Sequence, residues 1–279
     1  MQLRHIQEIR SAHPSRDGDG VAIQRIAGMQ HAGMDPVLMI DELRSEHRED
    51  FAGGFPPHPH RGMQTLTYLK HGGIIHQDSE GNRGEIRGGG AQWMSAGRGI
   101  IHSEMPTLDT QGLHGFQLWF NLPAAEKGAP PRYRDVPASE LATYSAAGID
   151  ATAIAGTWHL DNGAVTGPLT ELAAYAGLLD IHLAPETTVT LALPAQHNVI
   201  GYVYDGSVRV AEREVLPRQL LITGEGDALV LQSGSAGACV LIMQGKPLRE
   251  PVAHYGPFVM NTIEEIEQTL RDYQAGQFP

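Results

Sequence analysis

The chain of 279 residues has a single cysteine, Cys239, so no internal disulfide can form and a reducing, cytoplasmic setting is expected. It has no basic block: 20 Lys and Arg stand against 32 Asp and Glu, for a formal charge of −12. Phosphate neutralisation needs a positive patch, so direct nucleic-acid binding is excluded as a main activity. Long hydrophobic runs are missing too. The opening MQLRHIQEIRSAHPSRDGDG holds no apolar stretch fit for a signal peptide, and nowhere do eighteen apolar residues stand in a row, so no membrane association is expected. Helical periodicity is scarce. Two stretches invite a helix, PASELATYSAAG around 137–148 and NTIEEIEQTLRDYQAG over 261–276. The second offers Asn261 or Thr262 as cap, glutamates in its first turn, a stripe of Ile263, Ile266 and Leu270, and Gly276 as a stop.

What the chain does have is punctuation. Its 33 glycines and 18 prolines are scattered between short alternating runs such as QTLTYL, GEIRGG, HGFQLWFNL, ETTVTLAL and DALVLQ, a pattern that predicts an all-β protein. Within NVIGYVYDGSVRV, the pair Asp205-Gly206 reads as a two-residue hairpin turn. HQDSEGNRGEI offers a looser turn around Gly81 and Asn82. The stretch 123–140, rich in Pro and charge, reads as a linker between two similar β units.

The chemistry concentrates in FPPHPHRGMQT. Prolines 56, 57 and 59 remove backbone donors and hold the chain extended, so the segment reads as an edge strand or strand entry. Residues two apart in a strand share a face, and His58 and His60 therefore sit side by side. GRGIIHSEMP repeats the device with His102 and Glu104. A lone histidine among fourteen is usually a surface or hydrogen-bonding residue, and His5, His13, His47, His71, His159, His182 and His254 are read so. Two H-x-[HE] pairs on strands that meet are different. Three imidazoles and one carboxylate suit a first-row divalent ion and leave two adjacent octahedral positions open. Arg61 is read as a salt bridge or carbonyl cap. Met63, Trp93, Met94, Met105, Phe116 and Trp119 are read mostly as core, and His114 and Gln117 as candidates to approach the pocket.

HPHRGMQTLTYL, HQDSEGNRGEIRGGGAQWMSAGRGIIHSEMP and YGPFVMNTIEEIEQTLRDYQAGQF together resemble the pirin family of the cupin superfamily, in the manner of bacterial pirin-like quercetin dioxygenases. The resemblance covers nearly the whole chain. It implies a bicupin of two jelly-roll β-barrels with a C-terminal helix. Residues 1–134 would form a metal-binding cupin, with the tail 258–279 packed back on it, and residues 135–257 a metal-free one. It also implies one divalent ion, Fe(II) first among the transition metals, held by His58, His60, His102 and Glu104, the four residues that spacing alone picks out. Gln64 stands where many relatives carry glutamate and is expected to hydrogen-bond beside the site. The implied activity is cleavage of a flavonol such as quercetin with O2, the substrate chelating the metal and Glu104 acting as ligand and catalytic base. The alternative it implies is a non-enzymatic, redox-sensitive iron-binding regulator that acts through a protein partner.

Overall fold

The computed structural model describes residues 1–161 and 163–278. Pro279, at the end of the expected tail, and Asn162, in the expected second barrel, lie outside the described residues. The protein is built of antiparallel strands, with α1 (Ile263–Gln274) the one α-helix among the described residues and none long and apolar enough to cross a membrane. It divides into two compact units. One comprises Met1–Ala12, His31–Pro36 and Glu140–Pro247, the other His13–Gln30, Val37–Ser139 and Leu248–Pro279.

The unit that holds the histidine pairs is a two-sheet jelly roll. Its smaller sheet runs in the order Phe55–His60, Ile100–Pro106, Gly73–Asp78, Arg83–Arg87. Its larger sheet runs Arg132–Val136, Ala91–Ser95, Met63–His71, Leu113–Asn121, Val37–Ser45, Val21–Ala27, His13–Asp17. One apolar cluster of Val21, Ile23, Leu43, Leu69, Ile74, Ile86 and Leu113 closes part of the interior. Beside it the register sets a polar row, pairing Arg25 with Asp41, Asp41 with Gln117, Gln117 with Thr67, Thr67 with Gln92, and Gln92 with Asp135. Directly paired residues point to one face, so six strands contribute to a single polar belt. Arg132–Val136 is a paired strand of this sheet, and Lys127 nearby is buried, so the stretch expected to be a linker is barrel structure.

The tail completes the same unit. A short hairpin of Ala253–Tyr255 and Phe258–Met260 leads into α1, where Thr262 caps Glu265 N and the Glu265 carboxylate reaches back to Thr262 N, a full capping box. Ile266 is buried with Ala253 and Phe258, and Leu270 packs against them, but Ile263 is 60% exposed, so the apolar stripe is shorter than the sequence suggested. Arg61 donates to Asp272 (2.7 Å) and Thr269 (3.2 Å) and lies 4.7 Å over the Phe278 ring, which makes it a clamp on the tail. The Lys127 ammonium donates to the carbonyls of Gly62 (2.7 Å) and Val259 (3.0 Å) and to Asn121 (2.7 Å), while burial pulls its pKa down to about 8. Gly62 has φ +78° and lies so close to the Val259 carbonyl that a Cβ would stand 2.0 Å from it, so the strand and the tail can meet here only through glycine.

The other unit is one large sheet whose path runs Ile6–Ser11, Gln219–Thr223, Asn198–Val210, Ala228–Gly245, Gly177–Leu183, Ile149–Ala155, Ala142–Ala146. Its interior is a continuous aliphatic cluster that includes Leu179, Ile181, Val189, Leu191, Val203, Val208, Leu229, Leu231, Val240 and Ile242. The first residues, grouped with the first barrel by the sequence reading, pair here instead, Ile9 opposite Leu221 and Ser11 opposite Gln219.

Two local expectations are corrected. Asp205-Gly206 is not a hairpin turn; it lies inside the unbroken strand Asn198–Val210, where the register shifts twice. The positive φ of Gly206 serves that bulge, with the Gly237 carbonyl only 2.0 Å from where its Cβ would be. The expected helix at 137–148 is a 3-10 turn, Ala138–Glu140, and a strand, Ala142–Ala146. Ala147 and Gly148 both have φ > 0 and close a two-residue hairpin onto Ile149–Ala155, so sheet pairing overrides the alanine-rich helix preference.

Candidate metal centre

Phe55–His60 is an edge strand hydrogen-bonded on one side to Ile100–Pro106, which leaves its prolines no ladder bond to break. The register sets His102 directly opposite His58, and a bulge before Glu104 brings that carboxylate opposite Phe55. The ring centroids of His58, His60 and His102 lie 4.4 to 5.0 Å apart, and one nitrogen from each falls within 4.8 Å of the others. His60, His102 and Glu104 are buried, and His58 is partly exposed.

The tautomers follow from the hydrogen bonds. His58 Nδ1 is 2.8 Å from the Pro56 carbonyl and His60 Nδ1 is 3.3 Å from the Pro257 carbonyl. A carbonyl only accepts, so both rings carry their proton on Nδ1 and turn a bare Nε2 lone pair inward. Those two Nε2 atoms stand 3.1 Å apart. His102 Nε2 is buried with no partner. Protonation offers no relief, because burial, and then neighbouring His58, pushes the His60 pKa down to about 3, and burial followed by His60 and His58 pushes His102 well below its ordinary value. Facing lone pairs and an orphaned one among neutral rings fit a cation as the missing partner.

Glu104 is held from both sides: Thr67 Oγ1 lies 2.9 Å from one carboxylate oxygen, and Gln117 Nε2 donates to the other at 3.0 Å. Thr67 and Gln117 are partners in the polar belt, so strand register supplies the support. Gln64, expected in that role, is three residues from Thr67 on the same strand and therefore faces the other way. Gln117 reaches the site as expected, whereas His114 turns to Glu42 (3.2 Å).

A pocket of about 850 Å³ opens over these groups, lined by His58, His60, Glu104, Gln117 and Trp119, by the apolar Met29, Met39 and Phe55, and by His254 and Pro257 of the tail. Of the residues read as mostly core, Trp119 reaches the pocket, while Met63, Trp93, Met94 and Phe116 are fully buried. At the far wall Arg25 makes a two-pronged pair with Asp41 (2.8 and 2.6 Å) and also binds Asp17. Burial raises the Asp41 pKa, against the pull of Arg25. His254, set aside in the sequence reading, is a wall residue that no local motif could have flagged, because a distant tail delivers it. A fourth imidazole, His76, was also missed: its Nδ1 is 3.3 Å from His102 Nδ1 and its Nε2 is 3.0 Å from Asp78. His76 and Asp78 are two apart on the strand next to His102, the same spacing signal that marked the ligand pairs.

The family model described as pirin matches residues 20–120, and that described as the pirin C-terminal cupin domain matches residues 178–279. A Vibrio cholerae protein named "putative quercetin 2,3-dioxygenase" is 44% identical over 276 residues, which span 99% of this chain and 98% of that protein. The crystal structure of a quercetin 2,3-dioxygenase from Acinetobacter baumannii superposes with a TM-score of 0.90 at 28% identity, over 99% of this chain and 98% of the other. A bacterial pirin from Escherichia coli, solved in complex with nickel(II), shares the fold at a TM-score of 0.61 and 22% identity, over 86% of this chain and 99% of the other.

Proposed function

The chain belongs to the pirin family, and from that premise we propose that it is a metal-dependent dioxygenase that cleaves flavonols such as quercetin, with His58, His60, His102 and Glu104 holding one iron(II). The observation that carries the metal reading is the pair of inward Nε2 lone pairs 3.1 Å apart, each fixed by a carbonyl behind its ring. Iron(II) bound there would supply open coordination positions and the one-electron chemistry that O2 requires.

The chain supplies the rest. Trp119, Met29, Met39 and Phe55 offer a flat aromatic substrate an apolar bed, and the pocket volume suits a molecule of that size. Glu104 accepts the proton of the substrate's enol hydroxyl, and the hydrogen bonds from Thr67 and Gln117 keep its carboxylate in place as it does so. With iron(II) bound, Asp17, Asp19, Asp41 and Glu104 offset the ion and Arg25, so the lining has no cationic excess to select a carboxylate or phosphate. The bacterial relatives named for quercetin dioxygenase activity support this substrate class.

Anaerobic purification with metal analysis, followed by oxygen uptake with a panel of flavonols, tests the proposal. The expected result is one bound ion and flavonol-dependent oxygen consumption that a chelator abolishes. Metal binding without oxygen uptake on any flavonol would sink the flavonol dioxygenase reading and favour the alternative, a metal-binding regulator that acts through a protein partner.

A further inference from the structure

Each ligand imidazole has its outer nitrogen held, but not by the same kind of group. His58 and His60 lean on the carbonyls of Pro56 and Pro257, whereas His102 leans on a second imidazole, His76, backed by the carboxylate of Asp78. We propose that His76 and Asp78 are positioning residues that fix His102 in its metal-binding tautomer and make it the most strongly donating of the three imidazoles. This rests on the metal reading above.

The argument is a chain of single assignments. To offer Nε2 to an ion, His102 must carry its proton on Nδ1. His76 Nδ1 must then accept, so the His76 proton sits on Nε2, aimed at Asp78 Oδ2. Asp78 can only accept there. Its Oδ1 takes the backbone N–H groups of Glu80 (3.1 Å) and Asn82 (2.9 Å), and its Oδ2 takes the Asn82 amide (2.9 Å) besides His76. Carbonyls hold the other two rings by dipole alone, but a carboxylate relayed through an imidazole adds negative charge behind His102 and raises its basicity toward a metal. Both side chains are fully buried. His76 is pinned under the Tyr133 ring, stacked at 4.4 Å, and Tyr133 is anchored to Asp135 (2.5 Å) and Gln92 (2.9 Å) of the polar belt. The residue paired with His76 on the next strand is Gly84, where a Cβ would fall 1.8 Å from Asp135 Oδ2 and 2.1 Å from Tyr133 Oη. Strand register, stacking and a required glycine all fix the orientation of a histidine that is not itself a ligand.

The test is Co(II) affinity, read by competition with a chromophoric chelator, together with the Co(II) visible spectrum and 15N signals of the histidines in the metal-free protein. His76→Leu should lose about 10- to 100-fold in affinity, the usual scale for a lost partner of a metal-bound histidine. His76→Asn, whose Oδ1 can accept from His102 Nδ1–H, should recover most of it. Asp78→Asn should be worse than His76→Asn. With the amide oxygen held by two backbone N–H groups, its NH2 faces His76 Nε2 and moves the His76 proton to Nδ1. That drives the His102 proton onto Nε2, the atom that binds metal, and the 15N signals should show the exchange even without cobalt. Affinity within twofold of wild type in His76→Leu and Asp78→Asn, or equal losses in His76→Leu and His76→Asn, would overturn the proposal. If His76→Leu does not fold, Asp78→Asn and its tautomer signals decide alone. A wild-type protein that binds no Co(II) would instead remove the metal reading on which all of this stands.

Discussion

Of the four proposed ligands Glu104 alone is a carboxylate, and in the proposed reaction it is the one that takes the substrate proton. Glu104→Gln keeps the shape and a weak oxygen donor, so flavonol turnover should fall about 10²-fold or more in protein still loaded with metal, as measured by oxygen uptake and metal analysis on one sample. Near wild-type turnover would remove the base role. His60 gives a second expectation, for the metal-free protein. A free imidazole titrates near 6.5, but buried His60 does so only at about 3, so between these values the unfolded chain holds the extra proton and acid favours unfolding. Melting temperature should therefore fall as pH drops from about 6.5 toward about 3, and His60→Gln should flatten that slope; an identical pH profile in the variant would show that His60 contributes nothing. The three histidines that converge were legible because strand alternation and pairing bring them together; Glu104, two residues from His102 on the same strand, remains a proposed ligand. Thr67, Gln117 and His76 surround them by cross-strand register, which depends on which strands pair, and one strand read alone does not contain that information.

At the level of elements, the tail is more than a cover. Pro257 supplies the carbonyl behind His60, Val259 shares the Lys127 ammonium with Gly62, and α1 is gripped by Arg61, the residue next to His60. A chain ending at Gly256 should lose thermal stability and metal affinity together, in calorimetry and in chelator competition. Loss of stability alone would show that the Pro257 contact is dispensable. The cap was readable to within one residue, Asn261 or Thr262, because capping is local; the structure picks Thr262 and closes the box with Glu265. The misread segments failed for the opposite reason. Asp205-Gly206 has the composition of a turn, but a long partner strand, Ala228–Gly245, continues past it and the glycine is spent on a bulge. The alanines near 142–146 favour a helix in isolation and take up a strand where Ile149–Ala155 offers them a partner.

Across the whole molecule, the two barrels divide the chemistry. In one, a polar row on the larger sheet reaches the proposed ligands through Thr67 and Gln117, whereas in the other the described aliphatic cluster of Leu, Val and Ile offers an ion no donor, and an ion there would cost several kcal/mol to desolvate. Loading with excess metal should leave one ion per chain by elemental analysis, and two would contradict this division. The charge of −12 leads to a further expectation: fluorescence anisotropy should detect no binding to duplex DNA at physiological salt. The composition of each unit also bears on how the protein is made. Met1–Ala12 belong with strands that end near residue 247, and residues 248–278 belong with strands that begin near residue 13. On a ribosome that works from the N-terminus, the jelly-roll strands of the histidine-bearing unit are all made by Val136, whereas its tail follows only after residue 247, and Met1–Ala12 wait just as long for the last strands of the other unit. The carbonyl that orients His60 is translated nearly two hundred residues after His60 itself. A nascent chain would therefore carry an unfinished cluster of histidines with weak hold on any ion until Pro257 and the tail around it have emerged.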